Sequence, residues 1–218
     1  MTLDLFQEHI ALRETPAAKL PAGVFLLEGF AALQAPALVA EVSGIVARAP
    51  YRHMLTPGGF RMSVAMTNCG DCGWLTDRKG YRYASHDPES GLPWPAMPKT
   101  FRELAQQAGA STGFPVFTPD SCLINRYEPG ARMSLHQDRN ERDFTQPIVS
   151  VSLGLPAVFL FGGDRRSDKP ARIALSHGDV VVWGGAARLR FHGILPLKPG
   201  VHPLLGRERI NLTFRKAG

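Results

Sequence analysis

The segment Cys122–Asp138, CLINRYEPGARMSLHQD, decides how this chain is read. Near its end His136 and Asp138 stand one residue apart, so on an extended backbone both side chains leave the same face and can grip one ion. A third ligand is then needed. His192, in RLRFHGI, is the candidate, because it lies in a β-like run and completes a set of two histidines and one carboxylate. Near the start of the segment, Asn125 and Tyr127 share one face of the LINRY run and offer an amide and a phenol that can hydrogen-bond a carboxylate.

Two histidines and a carboxylate leave half of an octahedron open. Open positions suit a non-haem Fe(II) oxygenase, where O2 and a bidentate co-substrate must both reach the metal, whereas a structural zinc site is closed. A second such pair, His177-Gly-Asp179, competes for the role. It falls between RIAL and VVVWGG, two strand-like runs, so it reads as a turn in which Gly178 supplies a conformation other residues resist. His9, His53, His86 and His202 lack partners at ligand spacing and read as surface or structural residues.

The closing segment RINLTFR alternates strictly: Arg209, Asn211, Thr213 and Arg215 share one face, and Ile210, Leu212 and Phe214 the other. Arginines turned toward an interior need an anion, and a small dicarboxylate would meet that need. The alternative is a solvated edge strand laced with salt bridges.

Outward from these pieces, short strands follow Phe117 densely, at about 121–127, 147–154, 157–162, 172–176, 179–183, 188–194 and 208–215. Gly and Pro turns between them predict a sandwich or barrel. Upstream, Pro36 opens a helix with Leu38, Val42, Ile45 and Ala49 on one stripe, and a second helix from about Lys99 to Ala110 buries Phe101, Leu104, Ala105 and Ala108. Between the helices, from about 50 to 93, Arg52, Arg61, Arg78, Lys79 and Arg82 interleave with Phe60, Trp74, Tyr81 and Tyr83. This mixture suits stacking on bases and contact with phosphates, although the same aromatics could simply glue a small sheet to the core. Cys69-Gly-Asp-Cys72 has no second pair to complete a zinc site and reads as two inert thiols.

The chain has 218 residues, 44% hydrophobic and 20% charged, which suits one globular domain. A formal charge of +6 favours a polyanionic partner. The sequence has no apolar run of membrane-spanning length, MTLDLFQEHIALRE has no secretory pattern, and three cysteines make no even-numbered disulfide framework; together they predict a cytoplasmic protein. Triad hydrolase, P-loop and dinucleotide motifs are absent.

The pieces TPGGF, SVAMTNCG, GYRY, PWPAMP, CLINRYEPGA, SLHQD, PIVSVSLGLPA, FGG, HGDVVVWGG, RLRFHGI and RINLTFR cover most of the chain from Thr56 onward. In them the sequence resembles the AlkB family of Fe(II)- and 2-oxoglutarate-dependent dioxygenases, which repair alkylated nucleic acid. The resemblance implies a mainly β chain with flanking helices: a double-stranded β-helix, or jelly-roll, core over about 115–218 and a nucleotide-recognition lid over about 50–93. It implies Fe(II) on His136, Asp138 and His192, O2 as oxidant, and 2-oxoglutarate held by Asn125, Tyr127, Arg209, Asn211 and Arg215. Trp74 and Tyr81 fall where the family contacts the nucleotide, the base lying between Trp74 and His136, and Arg166 reaches the substrate. Asn140 stands where the family pattern has an aspartate, which weakens attraction for cationic bases. The implied activity is oxidative demethylation of 1-methyladenine and 3-methylcytosine in DNA, single-stranded above all, and in RNA, by a monomer with no obligate protein partner. A 2-oxoglutarate oxygenase acting on modified RNA or protein, and a non-catalytic jelly-roll module that binds nucleic acid, are the rival readings.

Overall fold

The computed structural model describes residues 20–218, so His9 and the N-terminal segment read above lie outside the described residues. In chain order the elements are β1 (Val24–Leu27), α1 (Ala35–Arg48), β2 (Ala65–Gly70), β3 (Gly73–Asp77), β4 (Gly80–Ala84), α2 (Lys99–Ser111), β5 (Ser121–Tyr127), β6 (Met133–His136), β7 (Ile148–Gly154), β8 (Ala157–Phe161), β9 (Ala171–Leu175), β10 (Val180–Trp183), β11 (His192–Ile194) and β12 (Arg209–Arg215). A six-stranded sheet runs β1-β10-β7-β12-β5-β2, a four-stranded sheet runs β6-β11-β8-β9, and β3–β4 stands apart as a hairpin. All the pairings between these strands are antiparallel.

The period-two pattern of β12 explains the layering. Ile210, Leu212 and Phe214 join one apolar cluster with Leu38, Val42 and Ile45 of α1 and Phe101 and Leu104 of α2, so the helices cover the outer face of the large sheet. A second cluster, with Leu123, Tyr127, Phe159, Phe161, Ile173, Trp183 and Ile194, fills the space between the two sheets. The polar residues of β12 therefore face inward, toward the second sheet. Central placement between β7 and β5 rules out the solvated edge strand.

Both helices form as their apolar stripes predict. Proline opens the first turn of α1, whose Leu38, Val42 and Ile45 are buried; Ala49 is buried one residue past its end. Phe101 in α2 is fully buried, and truncating it to alanine would cost about 3–5 kcal/mol.

Two features depart from the pattern reading. The strand expected over 188–194 starts only at His192, because Gly185–Ala187 form a 3-10 turn and Arg188 follows with φ −57° and ψ −36°. That turn directs the Arg188 guanidinium inward, where it donates to the carbonyls of Gln146 and Asp138 at 3.0 and 2.8 Å. The stretch 50–93 also contributes directly to the large sheet, since β2 pairs with β5 from Ala65↔Arg126 to Gly70↔Ser121.

Candidate active site

His136 ends β6 and His192 begins β11, and these two residues are register partners. The strands come close because position 193 is glycine: a Cβ there would lie 2.6 Å from the Met133 carbonyl oxygen. The imidazole centroids are 4.4 Å apart. Asp138 follows just beyond β6, its Oδ1 3.8 Å from His136 Nε2 and its Oδ2 3.6 Å from His192 Nε2. Among the described residues this is the one cluster of three His, Cys, Asp or Glu side chains whose ligand atoms all lie within 4.8 Å of one another.

The imidazoles are set for a metal. His136 Nδ1 lies 2.8 Å from the Ser134 carbonyl and His192 Nδ1 3.0 Å from the Arg190 carbonyl. A carbonyl can only accept, so each Nδ1 carries the proton and each Nε2 turns a lone pair toward Asp138. Burial, and next the neighbouring His192, push His136 down to about 4, which keeps it neutral at physiological pH. For Asp138, burial alone would raise the carboxyl; Arg215 and the two histidines reverse this and hold it well below the usual range. The donor set thus fits a divalent cation with open positions, as Fe(II) oxygenase chemistry requires.

The inner face of β12, whose Arg215 holds Asp138, also carries a fit for a carboxylate. Arg209 is 1% exposed and has no acidic partner among the described residues; its Nη2 donates to Ser152 Oγ at 2.9 Å, while Nε and Nη1 donate to nothing. Such a group in a dry interior calls for an anion, and burial pulls its affinity for the proton down accordingly. Tyr127, its register partner on β5, lies under the guanidinium at 5.0 Å. Asn211 accepts from Asn125 at 3.2 Å and donates to Ser150 Oγ at 2.8 Å, and Asn125 Oδ1 has no partner. Arg215 is engaged otherwise: it donates to Asp138 Oδ2 from Nη2 at 2.6 Å and from Nε at 3.0 Å, leaving only Nη1 without an acceptor.

The residues expected to meet a nucleotide sit on three separate segments. Trp74 and Tyr81 belong to the β3–β4 hairpin and stack on each other, centroids 5.7 Å apart, so the ring partner of Trp74 here is Tyr81. Asn68 of β2 pins Trp74, accepting from its N–H at 3.0 Å and donating to its carbonyl at 3.1 Å. Arg166 is exposed, its guanidinium 5.5 Å over Phe191, the neighbour of His192. Asn140 is exposed in the loop beyond Asp138.

The competing pair is structural. His177 Nδ1 accepts the Gly154 N–H at 3.0 Å, and Asp179 caps the turn by accepting from Gly29 and Ser176. The three cysteines are free, Cys69 opposite Cys122 in the sheet, and burial pushes Cys72 up to about 11. Sequence reasoning missed Arg188 and Glu141 and took Tyr83 only as a stacking aromatic, whereas its hydroxyl donates to Glu141; these residues surround Asp138 and Arg215. The one signal available was a second carboxylate, Glu141, three residues behind Asp138 in a charged loop.

A family model described as the 2OG-Fe(II) oxygenase superfamily matches residues 23–215. The alpha-ketoglutarate-dependent dioxygenase AlkB of Escherichia coli is 54% identical over 216 residues, covering 99% of this chain and 98% of that protein. The tRNA demethylase abh1 of Schizosaccharomyces pombe is 29% identical over 156 residues, covering 66% of this chain and 52% of that protein. The solved structure of OsALKBH1 superposes with a TM-score of 0.76 at 29% identity, covering 90% of this chain and 99% of the other.

Proposed function

The chain belongs to the 2OG-Fe(II) oxygenase superfamily and, within it, to the AlkB dioxygenases, and from that premise we propose that it removes N-alkyl groups from bases of single-stranded DNA and of RNA at a centre built from His136, Asp138 and His192. The observation that carries the residue assignment is the buried Arg209, its Nε and Nη1 without acceptors, on the same face of β12 as the Arg215 that grips Asp138 of a triad whose Nε2 atoms are free. A nucleic-acid substrate is supported by the stacked Trp74 and Tyr81 on the hairpin and by a relative named as a tRNA demethylase.

Fe(II) would be held by His136, Asp138 and His192; with 2-oxoglutarate and O2 it supplies the oxidation that hydroxylates the alkyl carbon, leaving succinate, CO2 and formaldehyde. The protein's work is binding and orientation. Arg209 holds a carboxylate of 2-oxoglutarate through its free N–H groups, with Tyr127, Asn125 and Asn211 shaping the same inner face. Arg215 fixes the Asp138 carboxylate and keeps it ionised, and its free Nη1 offers one more donor. Trp74 and Tyr81 give a π surface for a base taken out of its stack, and a cationic base gains from the electron-rich rings. Arg166 and the basic surface supply contacts to phosphate.

The test is incubation of the purified chain with Fe(II), 2-oxoglutarate and oligonucleotides carrying 1-methyladenine or 3-methylcytosine. Formaldehyde and succinate in equal amounts support the reading. Succinate without formaldehyde from any methylated oligonucleotide would move the substrate to another class, and no succinate at all would leave a binding module.

A further inference from the structure

Glu141 has no part in the reading so far, yet its side chain is only 1% exposed and faces three donors. Its Oε1 accepts the Tyr83 hydroxyl at 2.6 Å and lies 3.4 Å from Arg215 Nε, and its Oε2 lies 3.2 Å from Arg188 Nη2. Those two arginines are the ones that hold Asp138. Arg215 grips its carboxylate, and Arg188 Nη1 grips its main-chain carbonyl at 2.8 Å. Asp138 is thus clamped at both ends by two cations that share one further counter-anion. The other buried carboxylates have local tasks, Asp87 pairing with Arg52, Asp120 binding Lys216 and the Ala217 N–H, and Asp179 closing its turn.

The charges explain what Glu141 does. Arg188 and Arg215 against Asp138 and Glu141 leave the cluster neutral, so a divalent cation meets no net positive field. Without Glu141 one positive charge is left over, and Arg215 is paired to Asp138 alone. Both changes draw the Asp138 carboxylate away from a metal. Tyr83, which orients Glu141, is the register partner of Trp74 and shares its face of the hairpin, so the anchor comes from the element that carries the stacking residues. Burial holds the Tyr83 hydroxyl protonated, and therefore a donor.

We propose that Glu141, oriented by the Tyr83 hydroxyl, is a positioning residue that balances the charge of Arg215 and Arg188 and through them sets the orientation of Asp138, and so the affinity of the centre for a divalent cation. This rests on the reading of His136, Asp138 and His192 as ligands. Groups that orient metal ligands typically contribute about 10–100-fold in affinity.

The experiment is titration of the metal-free full chain with Co(II), followed by its visible absorption, for the wild type, Asp138→Ala, Glu141→Gln and Tyr83→Phe. The wild type binds one equivalent and Asp138→Ala loses the signal. Glu141→Gln binds about 10–100-fold more weakly and, at saturation, gives a shifted spectrum, which lower stability alone would not produce. Tyr83→Phe, which removes a single hydroxyl and spares the fold, weakens binding in the same direction. Wild-type affinity and spectrum in both Glu141→Gln and Tyr83→Phe, with binding lost in Asp138→Ala, overturn the role of Glu141 and leave the ligand assignment standing. Unchanged binding in Asp138→Ala overturns the ligand assignment itself.

Discussion

At the scale of single residues the assignment turns on which imidazole nitrogen is free. His136 and His192 give Nδ1 protons to carbonyls and keep Nε2 for a metal, whereas His177 accepts an N–H at Nδ1 and keeps its proton on Nε2. His136→Ala or His192→Ala therefore loses bound iron and turnover, and His177→Ala retains both; iron analysis of each purified variant checks this. Arg209→Met removes a charge-assisted pair of about 1.5–3 kcal/mol, so the 2-oxoglutarate KM rises about 10- to 100-fold while the oligonucleotide KM holds. Steady-state titration of each substrate separately reads the split, and equal rises in both would contradict it. Asn140→Asp adds a carboxylate near Asp138 and raises kcat/KM for cationic 3-methylcytosine relative to neutral 3-methylthymine. An unchanged ratio in one oligonucleotide context would leave Asn140 without a part in reading base charge. The triad was legible from the one-residue spacing of His136 and Asp138 and the need for a third ligand, and Arg209 from the strict alternation of its strand. The pairing of Glu141 with Tyr83 was not, because a hydrogen bond spanning 58 residues leaves no local trace in the sequence.

At the scale of elements, the stretch between the helices is held at its ends. Arg52 and Asp87 form a two-bond ion pair, Nη2 to Oδ2 at 2.6 Å, and Arg52 also lies 5.5 Å over the Trp94 ring. The Arg52 hydrogen bonds hold the Asp87 carboxyl below its ordinary 3.8. A depressed carboxyl stabilises the fold above its unfolded value and stops doing so as pH falls through its folded value. Asp87→Asn therefore lowers Tm by a constant amount between pH 7 and pH 5, and the difference shrinks below about pH 4, as melting curves across that range will show. Inside the small sheet, Gly193→Ala drives a Cβ against the Met133 carbonyl, displaces His192 and lowers both Tm and metal affinity. Elements with a clear period were readable in advance: α1, α2 and β12 follow their apolar stripes. The first half of the run 188–194 was not, since its alternation resembles a strand while Arg188 serves as a buried cation on a turn.

At the scale of the molecule, two sheets and two helices leave one polar layer in the interior, and β12 runs through it as a central strand with Arg209 and Arg215 at its two ends. The apolar face of that strand binds the helices, and its polar face gives a dry setting in which unpaired N–H groups favour an anion. Among the described residues no helix is long and apolar enough to cross a membrane. Composition and charge bounded this architecture, but it was the alternation in RINLTFR that located its interior. The measurement that bears most directly on the account is the yield of formaldehyde and succinate from a 1-methyladenine oligonucleotide, wild type against His136→Ala and Arg209→Met. The account predicts equal yields from the wild type, none from His136→Ala, and recovery of Arg209→Met at high 2-oxoglutarate. Wild-type yields from His136→Ala, or no formaldehyde from the wild type on any methylated base, would contradict it.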